Sequence, residues 1–243
     1  MKIFVCDGTP DGFFTAVFNA YNENNCVITS NKEVQLTLGC EVIQNETDEE
    51  KSLRVLNGIE KYDKEAVYDV LLALRSCSPL KEQTAFEYIK LLMKNKAPVK
   101  KAYNNPQVIE FNDILYKVTG ETHRLKGLLR FMESASGIFY APYSPDNDIT
   151  ELLMHHFAER FKSERFVIHD LKRKIAGMYD GNDWVIGYAG EAEVYLSEYE
   201  KAFETLWKKY YNAVNIKERP HEKQMKGSMP VRYWKFLPEK RDN

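Results

Sequence analysis

The sequence predicts an α+β fold that is rich in helix, with a small antiparallel sheet in the C-terminal half and a short-stranded N-terminal segment. Two periodicities support this prediction. Short apolar or alternating runs at 137–141 and 166–170, and a hairpin-like run at 175–188, are typical of strands. Apolar residues recur at helical spacing over longer stretches, namely 46–93, 106–132, 149–161 and 193–214.

Composition narrows the class of protein. The chain has 243 residues, 44% hydrophobic and 29% charged, which is ordinary for a globular protein that buries a core. A net charge of −2 excludes a uniformly basic surface, so any nucleic-acid contact has to come from a local patch. The apolar run at the start is too short for a signal peptide, and no run reaches the ~20 residues of a membrane span. We therefore expect a cytoplasmic protein.

The cysteines indicate a reducing compartment rather than a disulfide framework or a zinc site. All four lie in the first third of the chain, without a Cys-x-x-Cys pair or a nearby histidine, at Cys6, Cys26, Cys40 and Cys77. No metal and no cofactor are predicted.

The N-terminal part is predicted to combine short strands with helices over residues 1–104. Strands are expected at 3–6, 26–30 and 41–44, and helices from residue 46 to about 93. The loop DGTPDG after the first strand resembles a phosphate-binding turn, but Asp7 and Asp11 would repel an anion there. We interpret this loop as a strand-to-helix connection.

A C-terminal domain is predicted over residues 105–243 and begins with a helical region at 106–132. His123, Lys126 and Arg130 follow one another at helical spacing, which makes a narrow basic stripe. The stripe is either a solvated helix face, the commoner case, or a surface that binds phosphate.

The next helix carries two polar residues within its apolar stripe. Ile149, Leu152, Leu153, Phe157 and Phe161 define that stripe, and His156 and Arg160 fall inside it. Buried polar groups need hydrogen-bonded partners or a ligand, so we expect these two side chains to mark a site.

The carboxylates before this helix have two explanations. Asp148 with Glu151 three residues on resembles a capping box, which we favour. The rival explanation is a metal or acid/base site formed by Asp146, Asp148 and Glu151.

The strand at 166–170 places a titratable group on each of its faces. Val167, His169 and Leu171 lie on one face, and Phe166, Ile168 and Asp170 on the other. With the preceding helix, these residues give a candidate catalytic set that would bind phosphate or transfer a proton: His156, Arg160, His169, Asp170 and Arg173. For His156, Arg160 and Asp170 the alternative is a buried ion-pair network that fixes the helix on the sheet.

The last part of the chain is predicted to be a helix at 193–214 followed by a basic aromatic tail. The helix carries an aromatic stripe that we interpret as core packing. In the tail, Arg232, Tyr233, Trp234 and Lys235 alternate cations with rings, which suits either nucleic-acid contact or a segment docked by its aromatics. The candidate nucleic-acid-binding residues are these four, the basic stripe of the 106–132 helix, and two lysines after the 166–170 strand. The additional residues are His123, Lys126, Arg130, Lys172 and Lys174.

The run GIFYAPYSPDNDITELLMHHFAERFKSERFVIHDLKRKIAGMYDG, with the opening IFVCDGTPDGFFTAVFNAY and the late MPVRYWKFL, resembles bacterial proteins assigned to DNA repair or DNA metabolism. The resemblance covers nearly the whole chain. In that family the second half is a domain of unknown function, sometimes followed by a uracil-DNA glycosylase-like domain. The sequence lacks that extension, so the resemblance does not imply glycosylase activity.

The resemblance also implies a partner, a DNA-modification or repair enzyme that uses radical S-adenosylmethionine. This chain has no CxxxCxxC cluster motif and is not that enzyme. The resemblance therefore predicts an accessory DNA-repair factor that binds nucleic acid and the radical enzyme. Two alternatives stay open: an enzyme that acts on a nucleic acid or nucleotide through the His/Arg/Asp set, and a structural or protein-interaction module.

Overall fold

The structure, a computed structural model, describes residues 1–31, 39–190, 194–214 and 222–240. It confirms an α+β fold. The chain divides into two compact units, Met1–Thr119 and Gly120–Asn243. The predicted division after residue 104 precedes helix α5, whereas the dividing point between the units falls within this helix.

The first unit has a three-stranded parallel sheet with the strand order β2-β1-β3. Its elements are β1 Lys2–Val5, α1 Pro10–Ala20, β2 Cys26–Thr29, β3 Glu41–Gln44, α2 Glu49–Tyr62, α3 Lys64–Leu74, α4 Lys81–Asn95 and α5 Pro106–Leu128, which continues into the second unit.

Short polar side chains set the helix boundaries in this unit. The Thr9 side chain accepts a hydrogen bond from the Gly12 amide at the start of α1, and Asp48 caps α2 through the Lys51 amide. Asp63 ends α2 and caps α3. The DGTPDG loop is thus a capped strand-to-helix connection.

The second unit has a five-stranded mixed sheet with the order β4-β5-β6-β7-β8. Its elements are β4 Met132–Glu133, β5 Phe139–Tyr143, α6 Thr150–Arg160, β6 Phe166–Asp170, β7 Ile175–Tyr179, β8 Trp184–Tyr188, α7 Glu200–Val214, α8 Glu222–Ser228 and two 3-10 helices, Val231–Phe236 and Pro238–Lys240.

The sequence predicted an antiparallel sheet in the second unit, but the observed sheet is mixed. β5 and β6 run parallel, with Phe139 opposite Phe166 and Tyr143 opposite Asp170. Parallel neighbours need a crossover connection, and α6 supplies it. The predicted hairpin β7–β8 is present, with Tyr179 opposite Trp184.

Helix α6 buries a face that overlaps the predicted stripe: Leu153 and Phe157 are buried as predicted, and so is Ile149 just before the helix, whereas Leu152 and Phe161 are half-buried. Its buried residues are Thr150, Leu153, Met154 and Phe157, at the spacing i, i+3, i+4 and i+7. Met154 reaches the sheet because Gly177 has no side chain: a Cβ there would lie 2.4 Å from the Met154 Sδ. Arg160 is exposed and His156 is half-buried, so the prediction that both point into the core is wrong.

The capping box before α6 is absent. The residue preceding the helix is Ile149, and no side chain caps it. Asp146 instead pairs with Arg232. No group of three metal-ligating side chains occurs in the part of the chain that the structure describes, so Asp146, Asp148 and Glu151 do not form the rival metal site either.

The aromatic stripe of the last long helix is also placed differently. α7 begins at Glu200, after the predicted start, and none of its residues is buried. The predicted core residues Leu206, Tyr210 and Val214 are exposed by 56–60%. The apolar periodicity was correct, but nothing in the described chain covers this face.

No helix among the described residues combines the length and the apolar character needed to cross a membrane.

Candidate functional site

One buried carboxylate organises the polar groups of the second unit. Glu121 lies in α5, in register with the core residues Val118 and Leu125, and is 1% exposed. Its oxygens accept hydrogen bonds from the backbone amides of Asp146 and Asn147, at 2.9 and 2.8 Å, and from the Asn147 side chain at 2.7 Å. A carboxylate buried in this way stays charged only if such donors compensate its lost hydration.

The tail supplies the remaining donors to this carboxylate. The Tyr233 hydroxyl donates to Glu121, and the Arg232 guanidinium lies 3.2 Å from Glu121 Oε1 and 2.9 Å from Asp146 Oδ2. We call Glu121, Asp146, Asn147, Arg232 and Tyr233 the docking cluster. Burial raises the pKa of Glu121, but the hydrogen bonds from Tyr233, Asp146 and Asn147 outweigh it and hold this pKa below its ordinary value.

Tyr233 is therefore not available for the stacking that the sequence suggested. Its ring is 1% exposed, and a base cannot stack on a buried ring. Trp234 is tied as well, because its Nε1 donates to the Met229 carbonyl at 2.9 Å and Lys240 lies over its ring. The geometry fits the other interpretation of the tail, a segment docked by its aromatics.

A second ion-pair group holds the loop before α6. Asp170 is fully buried and accepts hydrogen bonds from the amides of Lys172 and Arg173 and from the Arg173 guanidinium at 2.9 Å. Arg173 also donates to the carbonyls of Pro145 and Asp146. Both side chains are thus used in joining β6 to the loop, a smaller network than the predicted one, which was to include His156 and Arg160 and to fix the helix on the sheet.

His169 is buried on the other face of β6. Its Nδ1 lies 2.8 Å from the Tyr140 hydroxyl and its Nε2 lies 3.2 Å from the Ala189 carbonyl. A carbonyl only accepts, so Nε2 donates and, in the neutral ring, Nδ1 accepts the Tyr140 proton. The five-residue catalytic set is therefore divided: Asp170 and Arg173 are bonded to each other, and no hydrogen bond or ion pair among the described residues links them to His156 or Arg160.

Two of the predicted basic groups do come together. Burial lowers the pKa of the His156 imidazole, and Lys126 of α5 and Arg160 of α6 lower it further, whereas Glu159 acts in the opposite direction. Within the described residues, neither Lys126 nor Arg160 has a carboxylate within 4.0 Å. We call Lys126, His156 and Arg160 the basic patch. Exposed His123 precedes Lys126 by three residues.

The remaining predicted cations are separate from this patch or already paired. Arg130 forms an ion pair with Glu239 at 2.8 Å and lies over the Trp207 ring. Lys172 and Lys174 are exposed beyond β6, and Lys174 has a left-handed backbone with φ of 55°. Lys235 is exposed in the tail.

The sequence analysis missed Glu121, although its position in the helical register of Val118 and Leu125 was visible. Glu121 is a charged residue within an apolar stripe, and the same pattern led to the selection of His156. The periodicity of α5 identifies this residue, but it does not identify the donors, which come from a loop and a tail.

Fold and site together define an α+β protein with a self-docked tail and a small unpaired cationic surface. A family model described as a domain of unknown function, DUF4130, matches residues 79–239, more than half of the chain. The chain therefore belongs to the DUF4130 family. No curated protein matches it.

Proposed function

We propose that this protein is an accessory factor of DNA repair or DNA metabolism that binds the phosphates of nucleic acid through the basic patch. The observation that carries the proposal is the unpaired state of Lys126 and Arg160 beside a histidine whose pKa they lower. An anion between them would relieve their mutual repulsion and release its counterions. In a protein with a net charge of −2, a local excess of cations, opposed at His156 only by the neighbouring Glu159, is a feature that favours phosphate.

The process and the partner enter the proposal from the sequence resemblance. Proteins of that kind act with a radical S-adenosylmethionine enzyme, and we propose that this chain binds such an enzyme as well as DNA. We place the protein in the cytoplasm, where its free thiols remain reduced. Titration of a purified radical S-adenosylmethionine enzyme from the same organism, with its cluster intact, tests that partner independently of DNA.

The DNA proposal is tested by fluorescence anisotropy with labelled single- and double-stranded DNA at about 50 mM and about 200 mM salt. We expect binding that weakens with salt. Lys126→Ala and Arg160→Ala should each weaken binding irrespective of DNA sequence and lower the salt dependence by about one phosphate contact. Lys94→Ala is the matched control, since Lys94 is an exposed lysine near the end of α4.

Two results would reject the proposal. One is the absence of binding at low salt, where counterion release favours it most. The other is binding that Lys126→Ala, Arg160→Ala and Lys94→Ala reduce equally, which would assign the contact to the total charge and not to the basic patch.

A further inference from the structure

The five-stranded sheet of the second unit has one protected edge and one open edge. At the protected edge, β4 has only two residues, and the Ala135 amide beside it donates to the Tyr195 carbonyl. The Ser197 amide donates to the Glu133 carbonyl of β4 itself, so the chain covers this edge with its own backbone. At the other edge lies β8, which is five residues long and pairs with β7 alone among the described residues.

The free hydrogen-bonding groups of β8 belong to alternate residues. The Ala189 amide donates to the Lys174 carbonyl at 2.8 Å, just beyond the end of the strand pair. Bonded pairs alternate along an antiparallel ladder, so the odd-numbered residues of β8 bond to β7. The N–H and C=O groups of Trp184, Ile186 and Tyr188 therefore point away from the sheet. In the described parts of the chain, nothing forms a hydrogen bond with these groups.

The side chains of β8 lack the features that usually protect an edge strand. The strand WVIGY has no charged residue and no proline, and it pairs with β7 without a bulge. Its apolar side chains are open to solvent instead: Val185 is 60% exposed, Ile186 38% and Tyr188 80%. An apolar edge of this kind is a template for a further strand.

The sequence of β8 is complementary to itself in the antiparallel direction. With a twofold axis at Ile186, all the outward-pointing residues form hydrogen-bonded pairs, Ile186 with its own copy and Trp184 with Tyr188. Apolar side chains then meet apolar side chains on that face of the sheet. On the other face Val185 of one copy lies opposite Gly187, which has no side chain to obstruct it. Other registers leave part of this backbone unpaired within the strand.

The charges at the two ends of β8 agree with this direction. Exposed Asp183 stands immediately before the strand. At the other end Lys174 is exposed, lies beside Ala189 and has no carboxylate within 4.0 Å among the described residues. In the antiparallel pair Asp183 of one copy lies opposite Ala189 of the other. Lys174 is then two strand spacings away, about 10 Å between Cα atoms, with only the Ala189 methyl group between the two charges.

We infer that the protein forms a symmetric dimer through antiparallel pairing of β8 with β8 of a second copy. The two five-stranded sheets then become one continuous sheet. Because the contact is only five residues long, the dimer is weak, with a dissociation constant on the order of 10–100 μM. The inference does not depend on the proposed function, and loss of DNA binding leaves it unaffected.

The test uses the residue on the axis, which meets itself in the dimer. Ile186→Lys puts lysine opposite lysine, and Ile186→Glu puts glutamate opposite glutamate. In sedimentation equilibrium of the full chain, each variant alone should dimerise at least about tenfold more weakly than the wild type. An equal mixture should form a heterodimer about tenfold tighter than either homodimer, because opposite charges then meet. Leu53→Lys, at an exposed apolar residue of α2, is the matched control and should leave dimerisation unchanged.

Amide hydrogen exchange gives a second readout that needs no variant. As the protein concentration rises from about 10 to about 300 μM, the amides of Trp184, Ile186 and Tyr188 should become protected. The amides of Val185 and Gly187 are already bonded to β7 and should change little. Ile186→Lys should abolish this concentration dependence, while its circular dichroism and thermal unfolding stay those of the wild type.

Three outcomes would overturn the inference. The first is a wild type that stays monomeric at about 300 μM. The second is a mixture of Ile186→Lys and Ile186→Glu that associates no more tightly than each variant alone, which would assign any association to another surface. The third is protection that rises equally at Ile186 and Val185, because pairing through the open edge affects alternate residues only.

Discussion

The hydroxyl of Tyr233 donates a hydrogen bond to the Glu121 carboxylate, across a separation of 112 residues. Both side chains are 1% exposed. The contact joins the 3-10 helix at Val231–Phe236 to α5 within one compact unit. The tail is thus bound to its own unit through the charged carboxylate of Glu121, which is shielded from water in the folded protein.

Tyr233→Phe should lower the free energy of unfolding by about 1–2 kcal/mol, because Glu121 loses a donor in a place that water does not reach. Urea denaturation of the wild type and the variant measures this change. The matched control is Tyr116→Phe, a tyrosine of α5 that is 73% exposed and should have little effect. Equal effects of the two substitutions would contradict a specific role for the hydroxyl.

Glu121→Gln should flatten the acid dependence of stability. The pKa of Glu121 is lower in the folded protein than its ordinary value of 4.5, so the unfolded state takes up a proton first on acidification. Its contribution is complete above that value and is lost as the pH falls through the lower folded pKa. Unfolding free energies from pH 7 to pH 3 should therefore show a shallower slope in Glu121→Gln. Glu110→Gln, on the exposed side of α5, should leave the slope unchanged.

Asp170→Asn should lower the free energy of unfolding by about 3 kcal/mol, since it removes the buried counter-charge of Arg173. The folded fraction should bind DNA as the wild type does, which separates a structural role from participation in a site. Asp183→Asn, an exposed residue of the β7–β8 turn, serves as the control. A stable Asp170→Asn variant with lost DNA binding would reverse this interpretation.

Gly177→Ala should destabilise the second unit by about 1–3 kcal/mol, because the added methyl group overlaps Met154. Gly187→Ala is a close control: it lies on the neighbouring strand with no atom near the added group. Thermal unfolding should separate the two clearly. In Gly177→Ala/Met154→Ala the total loss should be smaller than the sum of the two single losses, since the overlap is gone.

DNA binding should strengthen as the pH falls from 8 to about 5.5, because His156 changes from neutral to cationic within the basic patch. Burial, together with Lys126 and Arg160, lowers its pKa below 6.5 in the free protein, and a bound phosphate would raise it. We expect about a fivefold gain from this one charge. His156→Gln should lose that part of the pH dependence, whereas His155→Gln, the exposed neighbour, should keep it. Identical pH profiles would remove His156 from the interface.

The elements that the sequence predicted well are those whose periodicity is long. Helices α2 to α5 and the β7–β8 hairpin follow from local spacing and turn residues. For α6 the sequence identified Ile149, Leu153 and Phe157 as core residues but not Met154, whose burial depends on the space that Gly177 leaves for it. Likewise, the aromatic stripe of α7 is visible in the sequence, but periodicity does not tell whether the chain itself or another molecule covers it.

The candidate site shows the same limit. The sequence placed Asp170 either in a catalytic set or in an ion-pair network with His156 and Arg160, whereas in the structure Asp170 pairs with Arg173. It treated Lys126 and His156 as parts of different sites, because residues 30 positions apart become neighbours only through the fold. For Tyr233 the sequence leaves nucleic-acid contact and docking by its ring both open, since nothing near it in sequence indicates the distant carboxylate that it meets in the fold.

The span between Glu121 and Tyr233 also has a consequence for synthesis. At about 5–20 residues per second, a ribosome makes Tyr233 roughly 6–22 seconds after Glu121. Throughout that interval Glu121 lacks the hydrogen bonds from Arg232 and Tyr233. The hydrated carboxylate then has a lower free energy than the buried one. The second unit therefore completes its packing only after Tyr233 has emerged from the exit tunnel, whereas the first unit contains its whole core by Thr119 and has time to fold on the ribosome.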